Sequence, residues 1–353
     1  MKSVLVTGPA GFLGYHVIKL LNERGIRPRV LVEDPNPPPP DKKALTDKEF
    51  KKAMKSRMAF EAMTELNVDL AEGNVNEPAS LQAACDGIDT VFHLKFAIEL
   101  GDGADVKEKL HEVNVIGTRN LLDAAAAAGV ARVVVSSSAL TVGLNPEPVP
   151  LDETADWNTY RFDFPYAVSR REAETEALAR PEGDAVPIVM AVNPSFTMGP
   201  EDFIGAPANG LIDKMSKRWF RFTAPIGFGV LDVRDYAQGA LIAAEKGRHG
   251  QRYILSGDNV TPDRLLNAVA AVDGRRAPRW LVPIPGWLVS LLIKGIGTVK
   301  GKRLQGAPGI VQLWGRNAWY NTDRARSELG WETRPLHTTL EDSLRWLREN
   351  AAG

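Results

Sequence analysis

The sequence predicts an α/β fold: a parallel sheet with helices on both faces, followed by a smaller, less regular C-terminal part. Three observations predict it. The chain opens on a strand, a glycine-rich turn, a helix and a second strand; strand and helix patterns then alternate; and beyond Asn193-Pro194 the alternation weakens while Pro, Gly and aromatic residues increase. Strands that are apolar throughout belong to a sheet buried on both faces.

Ser3 to Thr7 is a short run rich in β-branched residues, and Gly8-Pro9-Ala10-Gly11-Phe12-Leu13-Gly14 is the turn. A helical pattern with Val17, Leu20 and Leu21 on its apolar face stops at Gly25, and Val30-Leu31-Val32 forms a second strand that ends in Glu33. A dinucleotide-binding turn needs this order. One glycine makes the tight turn, one lets backbone approach a pyrophosphate, one lets helix pack on strand, and the helix start offers its N–H groups to the phosphates. Glu33 can accept from ribose hydroxyls and would repel a 2′-phosphate, which favours NAD over NADP; Arg29 is near enough to keep NADP as the alternative.

Asp34 to Pro40 contains five prolines and cannot be helix or central strand. It opens a charged insertion through about Glu65, with one helix around Asp47 to Met63, which is either a lid over the adenosine end or a solvated excursion. The alternation resumes with a strand at Val68 to Glu72, its exit at Gly73-Asn74-Val75, a helix at Pro78 to Cys85 and a strand at Thr90 to His93. A helix from about Val106 through Ala128, stopped by Gly129, leads to a strand at Arg132 to Val135 and then Ser136-Ser137-Ser138. A long helix over Asp163 to Ala179 precedes a buried strand at Val186 to Val192. Val230 to Lys246 and Arg252 to Leu255 are expected to return to the main sheet, and Thr261-Pro262 opens a helix. The expected division is a nucleotide-binding domain of residues 1–193 and 225–256 and a substrate domain of residues 194–224 and 257–353.

With 353 residues, 44% apolar, and a formal net charge of −1, the chain is long enough for two domains and carries no polybasic field to attract nucleic acid. A single cysteine, Cys85, excludes an internal disulfide and a cysteine-rich metal cluster, and suits a reducing, cytoplasmic setting. The N-terminus enters a strand without a signal-peptide pattern, and the longest apolar stretch, Trp287 to Ile293, is far short of a membrane span. His16, His93, His111, His249 and His337 show no metal spacing and read as packing or surface residues; no metal is expected. Glu172, Glu174 and Glu176 read as a solvated helix face. Trp219-Phe220-Arg221-Phe222 and Phe228 are either an apolar substrate wall or core. Trp280, Trp287 and Trp314, with Lys294, Lys300, Lys302 and Arg303, leave peripheral membrane contact as an alternative to packing within the substrate domain.

Ligands of open α/β sheets sit at the carboxyl ends of strands. The serine run at 136–138 lies there, and beside it are Tyr166 and Arg170, four residues apart and so on one helix face. A phenol, with a reference pKa of about 10, serves as proton donor or acceptor near neutrality when a nearby cation favours its phenolate form. A facing serine hydroxyl could hold a carbonyl or alcohol.

Thr7 to Gly14, Asn114-Val115-Ile116-Gly117-Thr118-Arg119-Asn120-Leu121-Leu122, Ser136-Ser137-Ser138, Tyr166-Ala167-Val168-Ser169-Arg170, Asn193-Pro194 with Gly199-Pro200, Val230 to Asp235 and Leu329-Gly330-Trp331 together resemble the extended short-chain dehydrogenase/reductase family, over nearly the whole chain. The resemblance is closest to dihydroflavonol-reductase-like, 3β-hydroxysteroid-dehydrogenase-like and hopanoid-associated epimerase-like members. It implies a Rossmann-type nucleotide domain, a catalytic Tyr166 with Ser138 orienting the substrate and Asn114 in support, and a homodimer through the helices around 106–128 and 163–179; Arg170 is expected to complete the catalytic set. The expected NAD contacts are Gly8, Gly11, Phe12, Leu13, Gly14, Glu33, Asn74, Val75, Leu94, Lys95, Ser136, Tyr166, Arg170 and Asn193. The sequence departs from the family pattern in four places. Arg170 replaces a lysine, keeping the charge but not a transferable proton. Lys95 and Phe96 follow His93 where small residues are usual, and Lys95 is a candidate for the cation that position 170 no longer supplies as lysine. Glu33 stands where dihydroflavonol reductases carry arginine, and Asn74 stands where an aspartate meets adenine. The expectation is an NAD-dependent oxidoreductase acting on a ketone or secondary alcohol of a mainly apolar small molecule. The alternatives are an NDP-sugar epimerase or dehydratase that retains NAD, and a non-catalytic NAD-binding protein.

Overall fold

The structure, a computed structural model, describes residues 1–99, 101, 103–162, 164–183, 186–217, 222–223, 225–275, 282–283 and 315–350. Its centre is a seven-stranded sheet of β1 (Val4–Thr7), β2 (Arg29–Val32), β3 (Asp69–Glu72), β4 (Thr90–His93), β5 (Arg132–Ser136), β6 (Ile188–Pro194) and β10 (Arg252–Leu255), in the order β10-β6-β5-β4-β1-β2-β3. Every neighbouring pair is parallel. The chain runs outward from β1 to β3, then returns to the other side of β1 with β4, so the order reverses between β1 and β4. A doubly wound sheet opens its ligand crevice at that reversal, outside the carboxyl ends of the strands.

Successive strand residues feed opposite layers, as the unbroken apolar runs require. Val4, Val6, Phe92 and Val134 pack with Ile18 and Leu21 of α1 (Phe12–Glu23) and with Tyr236 and Leu241 of α8 (Val233–Lys246). Leu5, Val91 and Val133 pack on the other face with Leu81 of α3 (Pro78–Cys85) and with Leu121 and Ala125 of α5 (Gly117–Ala127).

The helix expected across 106–128 is interrupted. α4 (Ala104–Leu110) passes into a π-helical turn, His111–Ile116, before α5 begins. The wider turn carries Asn114, whose side chain bonds the backbone of Ala97 beyond β4. The insertion forms α2 (Asp47–Thr64), started by a capping box in which Thr46 and Glu49 satisfy each other's backbone amides. Ala59 and Met63 of α2 are buried, so one side of the helix packs against the main sheet's core.

A correction concerns β9 (Gly227–Asp232), expected in the main sheet. It lies instead in a small second sheet with β7 (Phe196–Met198), β11 (Asn259–Val260) and β13 (Asn317–Ala318), because β10 already occupies the edge of the main sheet beside β6; β8 (Phe222–Thr223) and β12 (Val282–Pro283) form a separate parallel pair. Phe228 of β9 packs edge-on against Phe196 at 5.3 Å. Beside this sheet lie α7 (Pro207–Ser216), α9 (Pro262–Val272) and the closing α10 (Leu336–Glu349), which share an apolar cluster containing Ile212, Leu265 and Leu344. Thr261 caps α9, accepting from the Arg264 amide. The helix expected from Asp163 is described from Pro165, as α6 (Pro165–Leu178). Asp163, Trp219, Phe220, Arg221, the Phe222 side chain, Trp280, Trp287, Lys294, Lys300, Lys302, Arg303 and Trp314 lie outside the described residues. Among those described, no helix is long and apolar enough to cross a membrane.

Candidate active site

At the crevice, Gly8 has φ +67°, a left-handed conformation, and a side chain there would drive into the Leu94–Lys95 backbone, 2.7 Å from Leu94 O. Gly14 lies under the turn: a Cβ would stand 2.2 Å from Gly8 O. The Gly11 amide donates to Gly8 O at 3.1 Å, and Gly11 is the N-cap of α1 with no side chain bonded over the helix start. The first amides of α1 therefore face outward without a side-chain cap, which is the anion-binding arrangement of a helix N-terminus.

A cleft of about 1090 Å³ runs from this turn. Its wall includes Gly8, Gly11, Val32, Glu33, Asn74, Val75, Leu94, Lys95 and Phe96; the insertion closes the far side with Pro37 to Pro40 and with Lys52, Ser56, Arg57 and Phe60 of α2. Lys95 Nζ donates to Glu33 Oε1 at 2.7 Å. The Lys95 ammonium is thus engaged by the Glu33 carboxylate, which does not favour it as the replacement cation for position 170. The Asn74 Oδ1 accepts from the Asn76 amide at 2.9 Å, which leaves a second lone pair on that oxygen.

The exit of β4 is fixed by a buried relay. Thr118 Oγ1 donates to Asn114 O at 2.6 Å, so it accepts from His93 Nε2 at 3.0 Å. His93 Nδ1 then accepts from Thr7 Oγ1 at 2.9 Å, and Thr7 Oγ1 accepts the amides of Leu94 and Lys95, each at 3.1 Å. Burial, and after it the Arg170 guanidinium, push the His93 pKa down to about 3, so the ring is neutral and holds this tautomer.

α6 carries Tyr166 in its first turn, half-buried, and Arg170 one turn later, buried. Arg170 Nη2 donates to the Ser136 carbonyl, and the guanidinium lies over the Phe96 ring, 4.4 Å from its centroid. Arg170 Nε is buried without a partner among the described residues. Burial lowers the pKa of this guanidinium while Tyr166, Glu174 and Tyr236 oppose the shift; from an arginine's high starting value it stays charged. Ser138 accepts the Leu140 amide on its Oγ at 3.3 Å, which leaves its hydroxyl proton to donate. Asn114 holds Ala97 at both N and O, at 2.7 and 3.2 Å, and donates to Ser169 Oγ at 3.0 Å. Asn193 turns inward: its Nδ2 donates to Glu174 Oε2 at 2.6 Å and to Thr141 Oγ1 at 2.9 Å.

Glu174 corrects the sequence reading. Expected on a solvated face, it is fully buried, accepts from Thr141 Oγ1 at 2.7 Å as well as from Asn193, and pairs with Arg252 Nε at 3.1 Å. Glu176 is half-buried and pairs with Arg119, and the exposed Glu172 lies 3.6 Å from His111. The signal for Glu174 was its spacing: Tyr166, Arg170 and Glu174 recur every fourth residue on one face of α6.

Two groups of the expected residues emerge. Gly8, Gly11, Glu33, Asn74, Val75, Leu94 and Lys95 line the cleft. Ser136, Ser138, Asn114, Tyr166, Arg170 and Asn193 belong to the ends of β5, β6 and the adjoining helices, and this cleft's wall stops short of them, at Phe96. Phe12 turns away from the cleft and packs with Ala206 and Val233; Leu13 packs beside them. Phe96 and the Thr7–His93–Thr118 relay were not expected as part of the site.

The crevice at the strand reversal, with a glycine cradle that no Cβ could enter, defines a dinucleotide-binding protein of the Rossmann type. The chain belongs to the NAD dependent epimerase/dehydratase family, whose model matches residues 4–256. It is 27% identical over 355 residues to the putative dihydroflavonol 4-reductase of Synechocystis sp., covering 98% of this chain and 94% of that one. It is 26% identical over 357 residues to the 3-beta-hydroxysteroid dehydrogenase of Mycolicibacterium neoaurum, covering 95% and 88%. The crystal structure of gox2253 superposes with a TM-score of 0.78 at 29% identity, covering 99% of this chain and 98% of that one. NAD is the cofactor of the family, and the residues present fit it: the cradle leaves room for a pyrophosphate, Glu33 stands at the end of β2, and the unpartnered Arg170 Nε offers a buried donor.

Proposed function

We propose that the protein is an NAD-dependent oxidoreductase acting on a ketone or secondary alcohol of a mainly apolar small molecule. The cofactor supplies the hydride chemistry; the chain supplies binding, orientation and proton handling. Gly8, Gly11 and the start of α1 take the pyrophosphate, and Glu33 and Asn74 take the adenosine end. Arg170 holds the nicotinamide ribose, and its charge favours the phenolate form of Tyr166. Tyr166 gives a proton to the carbonyl oxygen in reduction or takes it from the alcohol in oxidation, and Ser138 donates to the same oxygen to position it. Asn114 acts on the backbone after β4. The substrate half we assign to residues 194–224 and 257–353 would close on the apolar body of the substrate.

The observation that carries this reading is a buried, charged Arg170 one helical turn after Tyr166, with one nitrogen unpartnered. Support for an apolar substrate comes from relatives named for a steroid and for a farnesyl-bearing quinoline oxide. The test is Tyr166→Phe, assayed on a panel of apolar ketones. Turnover should fall by about 10²- to 10⁴-fold with NADH affinity held within about twofold. Equal turnover in the variant would sink the proton role, and NADH binding with no turnover by the parent on any ketone would mark a non-catalytic NAD-binding protein.

The family description also admits a sugar-nucleotide epimerase or dehydratase. That reading calls for NAD that copurifies and for turnover with no added cofactor, whereas the reductase consumes added NADH in step with ketone.

A further inference from the structure

We propose that Phe96 is a positioning residue for Arg170: its ring face fixes the plane of the guanidinium so that the free Nε is presented to the cofactor. This rests on the reading that Arg170 serves the cofactor ribose. Arg170 is almost fully buried and, among the described residues, its one hydrogen bond runs from Nη2 to the Ser136 carbonyl. A single bond leaves a planar group free to swing about it. The second constraint is the Phe96 ring: the guanidinium carbon lies over its face, 4.4 Å from the centroid. A cation removed from water gains most from such a face, and arginine, unlike lysine, has a plane for the ring to orient.

The ring is itself held. On one side of Phe96, the Leu94 and Lys95 amides are tied to Thr7 Oγ1; on the other, both backbone groups of Ala97 are tied to Asn114. A segment pinned on both sides gives Phe96 little freedom to leave Arg170. Phe96 also lines the dinucleotide cleft, so it stands between that cleft and the guanidinium. Large Phe96 and planar Arg170 are therefore a matched pair, each effective because of the other.

The test is a double-mutant cycle on NADH affinity, read by fluorescence titration of the full chain, with thermal melting to check folding. Phe96→Leu removes the aromatic face at similar bulk and should weaken NADH binding by about tenfold, whereas Phe96→Tyr should stay within about twofold of the parent. In an Arg170→Lys background the same Phe96→Leu change should cost less than about threefold, because no plane is left to orient. Phe96→Met is the second aliphatic variant should Phe96→Leu not fold, with the same expected loss. Undiminished affinity in the aliphatic variant, or equal losses in the arginine and lysine backgrounds, would overturn the proposal. NADH binding is read without turnover, so a failure to reduce any ketone strikes the oxidoreductase reading and leaves this result intact.

Discussion

Arg170, Glu174 and Gly14 show how single residues set the chemistry and the stability of the site. Arg170 and Glu174 lie one helical turn apart on α6, both removed from solvent, and each tolerates burial through different partners. Arg170 has a carbonyl and an aromatic face; Glu174 has Thr141, Asn193 and Arg252. A buried carboxylate held this way locks the end of β6 to the turn after Ser138, since Asn193 and Thr141 also meet the Ser138 carbonyl, at 3.3 and 2.7 Å. Gly14 is constrained by space. A methyl group there meets Gly8 O at 2.2 Å and Pro9 O at 2.9 Å, both backbone atoms of the glycine turn. Gly14→Ala should lower the unfolding free energy by about 1–3 kcal/mol and weaken NADH binding as the turn moves, read by urea denaturation and by titration. A stable variant with full affinity would show that the turn is looser than its packing indicates.

Among the elements, α1 does two things: its start faces the cleft and its middle holds the loop after β7. His16 of α1 donates from Nε2 to Pro200 O at 3.0 Å, and Lys19 bonds Glu201, a non-glycine residue at φ +59°. Burial, partly opposed by Glu201, pushes the His16 pKa down to about 4, and His93 is pushed further, to about 3. An unfolded histidine has a pKa near ~6.5, so as pH falls below that value the unfolded chain takes up protons that the folded chain refuses. The stability due to each neutral histidine is fully present above about pH 6.5 and is lost progressively as pH falls toward the folded pKa, at up to about 1.4 kcal/mol per pH unit. Chemical denaturation between pH 7 and pH 4.5 should therefore show falling stability, and His16→Gln should flatten that slope by about one histidine's share. An identical slope in the variant would mean that His16 is protonated in the fold. The π-helical turn at His111–Ile116 is likewise an element with a use: it places Asn114 against the segment that carries Phe96.

For the whole molecule, the cleft lies at the reversal of strand order, and its far wall is the insertion, so a dinucleotide bound there would contact the turn after β1, the end of β2, the segment after β4 and α2 together. NAD at about 100 times its Kd should raise the unfolding free energy by about 2.7 kcal/mol, seen as a shift of the urea midpoint; no shift at saturation would contradict the fit of the crevice to NAD. The glycine turn, Glu33, the order of strands and helices from β1 to β6, and the Tyr166–Arg170 spacing could all be read from the sequence, because each is a local pattern with a period or a turn chemistry. The place of β9 could not, since pairing with β7 rather than β6 depends on β10 reaching the sheet edge first. Nor could the burial of Glu174, which looks in sequence like its solvent-accessible neighbours Glu172 and Glu176 until Asn193 and Arg252 meet it from β6 and β10. By itself the sequence determined the parallel α/β fold and the dinucleotide turn, because hydrophobic period and glycine geometry act over a few residues. Tertiary structure alone decided which partners Lys95, Phe96 and Arg170 take, because those contacts join segments up to 74 residues apart and depend on where the sheet brings their ends.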